Sequence, residues 1–284
     1  MILVTGATGS VGSAVVQQLA GRGAGVRAFV RDPARARAML GDDITLVTGD
    51  FASPETVLRA LDGVDTLFLA CANGPRQVEF EATVIEAATS ANVRRLVKLS
   101  AALAEVGSPL CVADWNGRIE RIVEDSGLPA VILRPGFYMS NLLANAAAVR
   151  RTGTLRAPAG EAGITMIDPW DVAACAVVAL TESLAGGSYV LTGAEVLSYR
   201  QIAHFLSEVT GRRIEFADMN DDEARHHYIT TGLPEWFIEY LVRLFQKFRN
   251  GAATEMTDTV RSLINREPRS FSEFARNHAA AFSS

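Results

Sequence analysis

Met1-Ile2-Leu3-Val4-Thr5-Gly6-Ala7-Thr8-Gly9-Ser10-Val11-Gly12-Ser13-Ala14-Val15-Val16 opens the chain. A short apolar run enters three glycines spaced Gly-x-x-Gly-x-x-Gly, and an apolar helical pattern follows through Leu19. Glycines so placed permit a tight turn, close approach of backbone to a pyrophosphate, and close packing of helix on strand. The helix N-terminus adds orphan amide donors and favours negative charge. A glycine triplet alone would be weak evidence. Strand, spacing and helix together predict a dinucleotide-binding βαβ unit whose phosphate turn is Gly6, Thr8, Gly9, Ser10, Val11 and Gly12.

Beyond this turn, short apolar runs alternate with helical patterns, as repeated βαβ units around a parallel sheet require. Strands are expected at Ile2–Thr5, Val26–Val30, Ile44–Thr48, Thr66–Ala70, Leu96–Leu99 and Val131–Leu133, rich in the residues that suit a sheet covered on both faces. Asp32-Pro33, Ser53-Pro54, Asp168-Pro169, Ser198 with Gln201, Asn220 with Glu223 and Ser270 with Glu273 mark helix starts. After Tyr199 the alternation stops and aromatic-rich helical segments follow, with Tyr228, Trp236, Phe237, Tyr240, Phe245 and Phe248. The expected fold is therefore α/β, a Rossmann-type doubly wound parallel sheet over residues 1–198. Residues 199–284 form a small, mainly helical substrate-binding lobe, for whose rings a plain core role is the competing reading.

Composition narrows the classes. A chain of 284 residues, 49% hydrophobic and with a formal net charge of −5, is globular and offers no basic field for nucleic acid. Its longest apolar stretch, Val172 to Leu180, falls well short of the roughly 20 residues of a membrane span. The strand at Met1 leaves no room for a leader, so a cytoplasmic protein is expected. Cys71, Cys111 and Cys175 are widely separated among apolar residues and read as small hydrophobes rather than a disulfide framework or metal site. His204, His226, His227 and His278 lack metal-ligand spacing, and no Gly-x-Ser-x-Gly elbow is present.

The second strand decides between cofactors. An acidic residue at its end binds the ribose hydroxyls of NAD, whereas a cation accommodates a 2′-phosphate. Here Val26-Arg27-Ala28-Phe29-Val30 runs into Arg31, with Arg35 one turn on, and both point to NADPH. Asp32 is better placed as a helix cap before Pro33, although it could also reach a ribose.

Val4-Thr5-Gly6-Ala7-Thr8-Gly9-Ser10-Val11-Gly12, Gly49-Asp50-Phe51, Val97-Lys98-Leu99-Ser100 and Ser126-Gly127-Leu128-Pro129 leading to Leu133-Arg134-Pro135-Gly136 together resemble the NmrA-like atypical short-chain dehydrogenases/reductases. Met166-Ile167-Asp168 and Arg266-Glu267-Pro268-Arg269-Ser270-Phe271 extend the likeness over nearly the whole chain, which is similar to ketoreductases that tailor aromatic polyketides of the angucyclinone type. The resemblance implies that Asp50 and Phe51 border the adenine, and that Ala70, Cys71 and Ala72 pass beneath the nicotinamide ribose. It also implies that Pro135, Gly136 and Phe137 line the nicotinamide amide, with Tyr138, Met139 and Asn141 facing a substrate.

Reductases of that superfamily use Ser, Tyr and Lys, the last two as Tyr-x-x-x-Lys. In this sequence the Tyr position falls on Val112, the Lys position on Asn116 and the Ser position on Ala102, with Ser100 nearby. Candidate proton donors or orienting groups are then Ser100, Tyr138 and Asn116, followed by Tyr228. The implied activity is NADPH-dependent reduction of a ketone or quinone carbonyl on a polycyclic aromatic small molecule, such as an antibiotic intermediate. Two alternatives stand beside it: a non-catalytic NADP(H) redox sensor, and a quinone reductase.

Overall fold

A computed structural model describes residues 1–283 and divides the chain into two compact units. The first gathers Met1–Pro135, Pro169–Leu191 and Thr259–Asn265. The second gathers Gly136–Asp168, Thr192–Asp258 and the chain from Arg266 onward, so the chain passes between units several times, where the sequence suggested one boundary at 198–199.

In the first unit the elements run β1 (Ile2–Val4), α1 (Ser10–Gly21), β2 (Val26–Val30), α2 (Pro33–Leu40), β3 (Thr45–Thr48), α3 (Pro54–Ala60), β4 (Thr66–Leu69), α4 (Gln77–Ser90), β5 (Arg95–Leu99), α5 (Cys111–Ser126) and β6 (Ala130–Pro135). A seventh strand, Gly187–Leu191, pairs with β6. The sheet order is Gly187–Leu191, β6, β5, β4, β1, β2, β3, with every pairing parallel. The strand order therefore reverses between β1 and β4, and in such sheets ligands bind at the carboxyl ends beside that reversal.

The six expected strands are present, Val26–Val30 with both ends as expected and the other five with ends shifted by a residue or two. Gly187–Leu191 was not among them: an edge strand of Gly-Ser-Tyr-Val-Leu, exposed at its first two residues and half-buried at the next two, carries too short an apolar run to announce it. Central strands need cover on both faces. Leu67, Leu69 and Leu96 pack with Val84 and Ile85 of α4 and Ile119 and Val123 of α5, each worth about 1.5–3 kcal/mol of apolar burial.

In the second unit, Ile164–Ile167 pairs antiparallel with Val196–Leu197 and parallel with Phe137–Tyr138, while Thr154–Ala157 pairs with Glu215–Asp218. Gly193 is required here, since a Cβ would sit 1.8 Å from the Met166 carbonyl oxygen. Ser198, Asn220 and Ser270 cap their helices as full capping boxes with Gln201, Glu223 and Glu273. Asp32 caps α2 by accepting the Arg35 amide at 3.0 Å, but Ser53 makes no side-chain cap and turns its hydroxyl to Glu55. Among the described residues no helix is long and apolar enough to cross a membrane.

Candidate active site

The glycine turn sits at the strand reversal. Gly6 adopts φ +59°, and a Cβ there would lie 2.9 Å from the Ala70 carbonyl oxygen at the end of β4. Gly12 is tighter still: a Cβ would fall 2.2 Å from the Gly6 carbonyl oxygen. Thr5 ties the two strand ends, donating from Oγ1 to the Ala70 carbonyl at 3.0 Å and accepting the Ala70 amide at 2.9 Å. The Gly9 amide closes the turn on the Gly6 carbonyl at 2.9 Å.

Gly9 then caps α1 without a side-chain acceptor, and the first turn of α1 has no acidic residue. Its leading amides and positive dipole end therefore have no competing carboxylate, an arrangement suited to an anion such as a pyrophosphate. Thr8 is half-buried, Ser10 exposed and Val11 buried, which places the polar members of the turn outward and the apolar one inward. Arg31, directly after β2, and Arg35 in α2 are both exposed cations. The glycine cradle, the uncompensated helix start and this cationic flank fit a 2′-phosphorylated dinucleotide.

The other residues implied as cofactor contacts divide between the units. Asp50 follows β3 with its Oδ1 accepting the Ala52 amide at 2.8 Å, and Phe51 stacks on Phe29 at 5.4 Å between centroids. Ala70 is buried, Cys71 half-buried and Ala72 exposed. Burial, with Glu81 nearby, pushes the Cys71 thiol up to about 12, so it stays protonated at neutral pH. Pro135 ends β6, its carbonyl accepting the Ala102 amide at 2.9 Å.

Gly136, Phe137 and Tyr138 belong to the second unit. There Phe137 packs edge-on against Phe245 and Phe248, at 6.0 and 5.4 Å. Burial and neighbouring Tyr240 push the Tyr138 phenol up, making it a weaker acid than free tyrosine. Met139 is buried and Asn141 exposed. Tyr228 is half-buried, its phenol raised by burial to about 12, and His226 is exposed.

Within the first unit, Ser100 and Asn116 each enter a buried polar network that the sequence did not reveal. Ser100, just past β5, donates its hydroxyl to Glu120 Oε1 on α5. Arg134 of β6 grips the same carboxylate as a fork, with Nε to Oε1 at 3.0 Å and Nη2 to Oε2. In the second network Lys98 of β5, wholly buried, extends Nζ to Glu81 Oε1 of α4 at 3.1 Å, to Asn116 Oδ1 of α5 at 3.2 Å and to the Leu99 carbonyl.

Asn116 in turn donates from Nδ2 to the Val112 carbonyl at 2.9 Å. Gln77 Nε2 donates to Glu81 Oε1 at 3.0 Å. Glu81 Oε2 lies 2.9 Å from Lys98 Nζ but outside hydrogen-bonding geometry, and Gln77 Oε1 has no partner among the described residues. Val112, the residue on which the resemblance sets the usual tyrosine position, is buried and aliphatic. Lys98 inside the apolar run Leu96-Val97-Lys98-Leu99 was the one sequence signal of this second network.

A parallel sheet with a phosphate turn at its reversal defines a dinucleotide-binding fold. Residues 1–275 match the NmrA-like family, and the chain belongs to it. It is 35% identical over 283 residues to an NAD(P)H azoreductase of Xenophilus azovorans, covering 99% of both chains. It is 37% identical over 284 residues to the (4-alkanoyl-5-oxo-2,5-dihydrofuran-3-yl)methyl phosphate reductase of Streptomyces griseus, again covering 99% of both. Among solved structures, the NADPH complex of an Escherichia coli NADPH-dependent quinone oxidoreductase superposes with a TM-score of 0.88 at 28% identity, covering 98% of this chain and 99% of the other.

Proposed function

We propose that this NADPH-dependent reductase acts on electron-poor conjugated acceptors, with a quinone-type carbonyl on a polycyclic aromatic skeleton first among them. When bound, NADPH supplies the hydride and both electrons of the reduction. Gly6, Gly9, Gly12 and the start of α1 would hold its pyrophosphate, and Arg31 with Arg35 its 2′-phosphate. What the chain adds is binding, orientation and exclusion of water, which alone can contribute much of an acceleration.

One observation carries the choice of acceptor: the Ser100 proton is directed to Glu120. The resemblance adds that the usual tyrosine position falls on Val112, a buried aliphatic residue. Asn116 is a neutral amide with one Nδ2 hydrogen engaged by Val112, and Tyr138 is a weakened acid. A simple ketone needs a proton on its oxygen as it is reduced, whereas a quinone spreads the arriving charge through its ring and takes a proton from water afterwards. The azoreductase, the furanone phosphate reductase and the quinone oxidoreductase named above are consistent with such acceptors. An aromatic polyketide ketone with an internal hydrogen bond, carrying its own phenol as donor, is the closest related substrate.

Loss of NADPH absorbance against a panel of polycyclic quinones, hydrogen-bonded aromatic ketones and simple ketones tests this reading. Quinones should turn over fastest and simple ketones slowest; equal rates on simple ketones would refute it. Arg31→Ala should weaken NADPH binding far more than NADH binding, and equal losses would remove Arg31 from the phosphate site. Tight NADPH binding without turnover of any acceptor would favour a redox sensor instead.

A further inference from the structure

Between β4 and α4 the chain crosses the carboxyl edge of the sheet in the loop Cys71-Ala72-Asn73-Gly74-Pro75-Arg76, and its last residue is held in an unusual way. Arg76 Nε and Nη2 donate to Glu79 Oε2 and Oε1 at 2.9 and 2.6 Å, a fork that fixes the guanidinium plane. That plane lies over the Phe80 ring, with Cζ 4.5 Å from the ring centroid. The Arg76 side chain nonetheless remains 57% exposed. One face of the cation is thus backed by an aromatic ring while much of the group still meets solvent.

This plane adjoins the loop after β3. Phe80 meets Phe51 at 6.5 Å between centroids, and Phe51 is stacked on Phe29 with an interplanar angle of 6°. The stack depends on Gly49, where a Cβ would come 2.5 Å from the Phe29 ring. Asp50 Oδ1 is taken by the Ala52 amide, and Oδ2 has no protein donor among the described residues. A rigid platform, an exposed planar cation and an acceptor carboxylate therefore converge from two loops at the carboxyl edge.

An exposed arginine held by an acidic neighbour is most often a solvated surface pair. Here the backing ring, the aromatic stack and the unfilled carboxylate oxygen ask for a planar group that also carries an N–H donor. Resting on the NADPH reading above, we propose that Arg76 is the base-recognition residue of the dinucleotide site. Its guanidinium plane covers one face of the adenine, while Asp50, which the family resemblance already sets at the adenine, accepts from the 6-amino group. Arg31 and Arg35 read the phosphate, and Arg76 reads the base.

The test is binding of NADPH and NADH, followed by fluorescence, to the wild-type chain and to Arg76→Ala, Arg76→Lys and Arg31→Ala. Because a stacked base contributes about tenfold or more in affinity, Arg76→Ala should weaken both dinucleotides by about tenfold and leave their ratio unchanged. Arg76→Lys should lose as much, since it keeps the charge and loses the plane. Arg31→Ala should change the ratio. The reduced hypoxanthine analogue of NADPH, which lacks the 6-amino group, should bind the wild-type chain more weakly than NADPH.

Loss confined to NADPH in Arg76→Ala would make Arg76 a phosphate ligand and overturn the proposal. Unchanged affinity for either dinucleotide in that variant, or wild-type affinity in Arg76→Lys, would also overturn it. Failure of the wild-type chain to bind either dinucleotide would instead overturn the NADPH reading on which it rests.

Discussion

Glu81 on α4 and Glu120 on α5 are both buried carboxylates of the first unit, and they are satisfied in opposite ways. Glu120 receives a guanidinium fork and a hydroxyl, and its partner Arg134 keeps 28% of its side chain exposed. Its charge is fully hydrogen-bonded and has a route to water. Glu81 faces an ammonium with no exposure at all, uses one oxygen for two donors, and leaves the other outside hydrogen-bonding geometry beside an unpartnered Gln77 oxygen.

A dry ion pair carries a large desolvation cost, and its mutual attraction offsets that cost only with near-complete hydrogen bonding. The Glu120 network is thus a robust clamp joining the ends of β5 and β6 to α5. The Glu81 network is a less tolerant one, lying beside Cys71 at the expected cofactor floor.

The sharpest way to break that contrast is to remove each cation. Lys98→Met leaves Glu81 buried and unpaired, and should cost about 3–5 kcal/mol in urea unfolding. Adding Glu81→Met should recover most of this loss, because an apolar pair of similar volume replaces the ion pair. A double variant as unstable as Lys98→Met would show that packing, not charge, is what the lysine supplies. On the other side, Glu120→Ala should cost about 2 kcal/mol, the scale of hydrogen bonds to charged groups, since Arg134 can turn to water. A loss from Glu120→Ala equal to that from Lys98→Met would erase the distinction.

The same contrast explains what could be read beforehand. The glycine turn was legible because its requirements are local: spacing, a strand before it and a helix after it, which the steric limits at Gly6 and Gly12 then express. Capping boxes at Ser198, Asn220 and Ser270 were legible for the same reason. The two carboxylate networks were not, since each joins three elements of the first unit and no spacing announces a meeting of α4, β5 and α5 or of β5, α5 and β6. Ser100 was visible as a candidate, but the direction of its proton depends on Glu120, twenty residues away. Likewise the strand Glu215–Asp218, short and half polar, gave no signal until its partner Thr154–Ala157 was in place.

Asn116 tests the less tolerant side more gently. Asn116→Leu removes one acceptor from Lys98 but leaves Glu81 and the Leu99 carbonyl, so a loss of about 1 kcal/mol is expected. A loss as large as that of Lys98→Met would mean that the amide, and not Glu81, is the principal partner of the ammonium.

Ser100→Ala should have the smallest effect and separates structure from chemistry. Glu120 keeps both Arg134 bonds when the hydroxyl is lost, so no buried charge is stranded and stability should fall by about 1 kcal/mol or less. Turnover with a quinone should remain within a few-fold of wild type, because a proton already directed to a carboxylate is not available to an acceptor. Loss of a general acid typically lowers rate by about a hundredfold or more. A fall of that size in the rate, with NADPH affinity and thermal stability unchanged, would place the Ser100 proton in the reaction. The Glu120 network would then be part of the chemistry as well as the scaffold, and simple ketones would return as substrates.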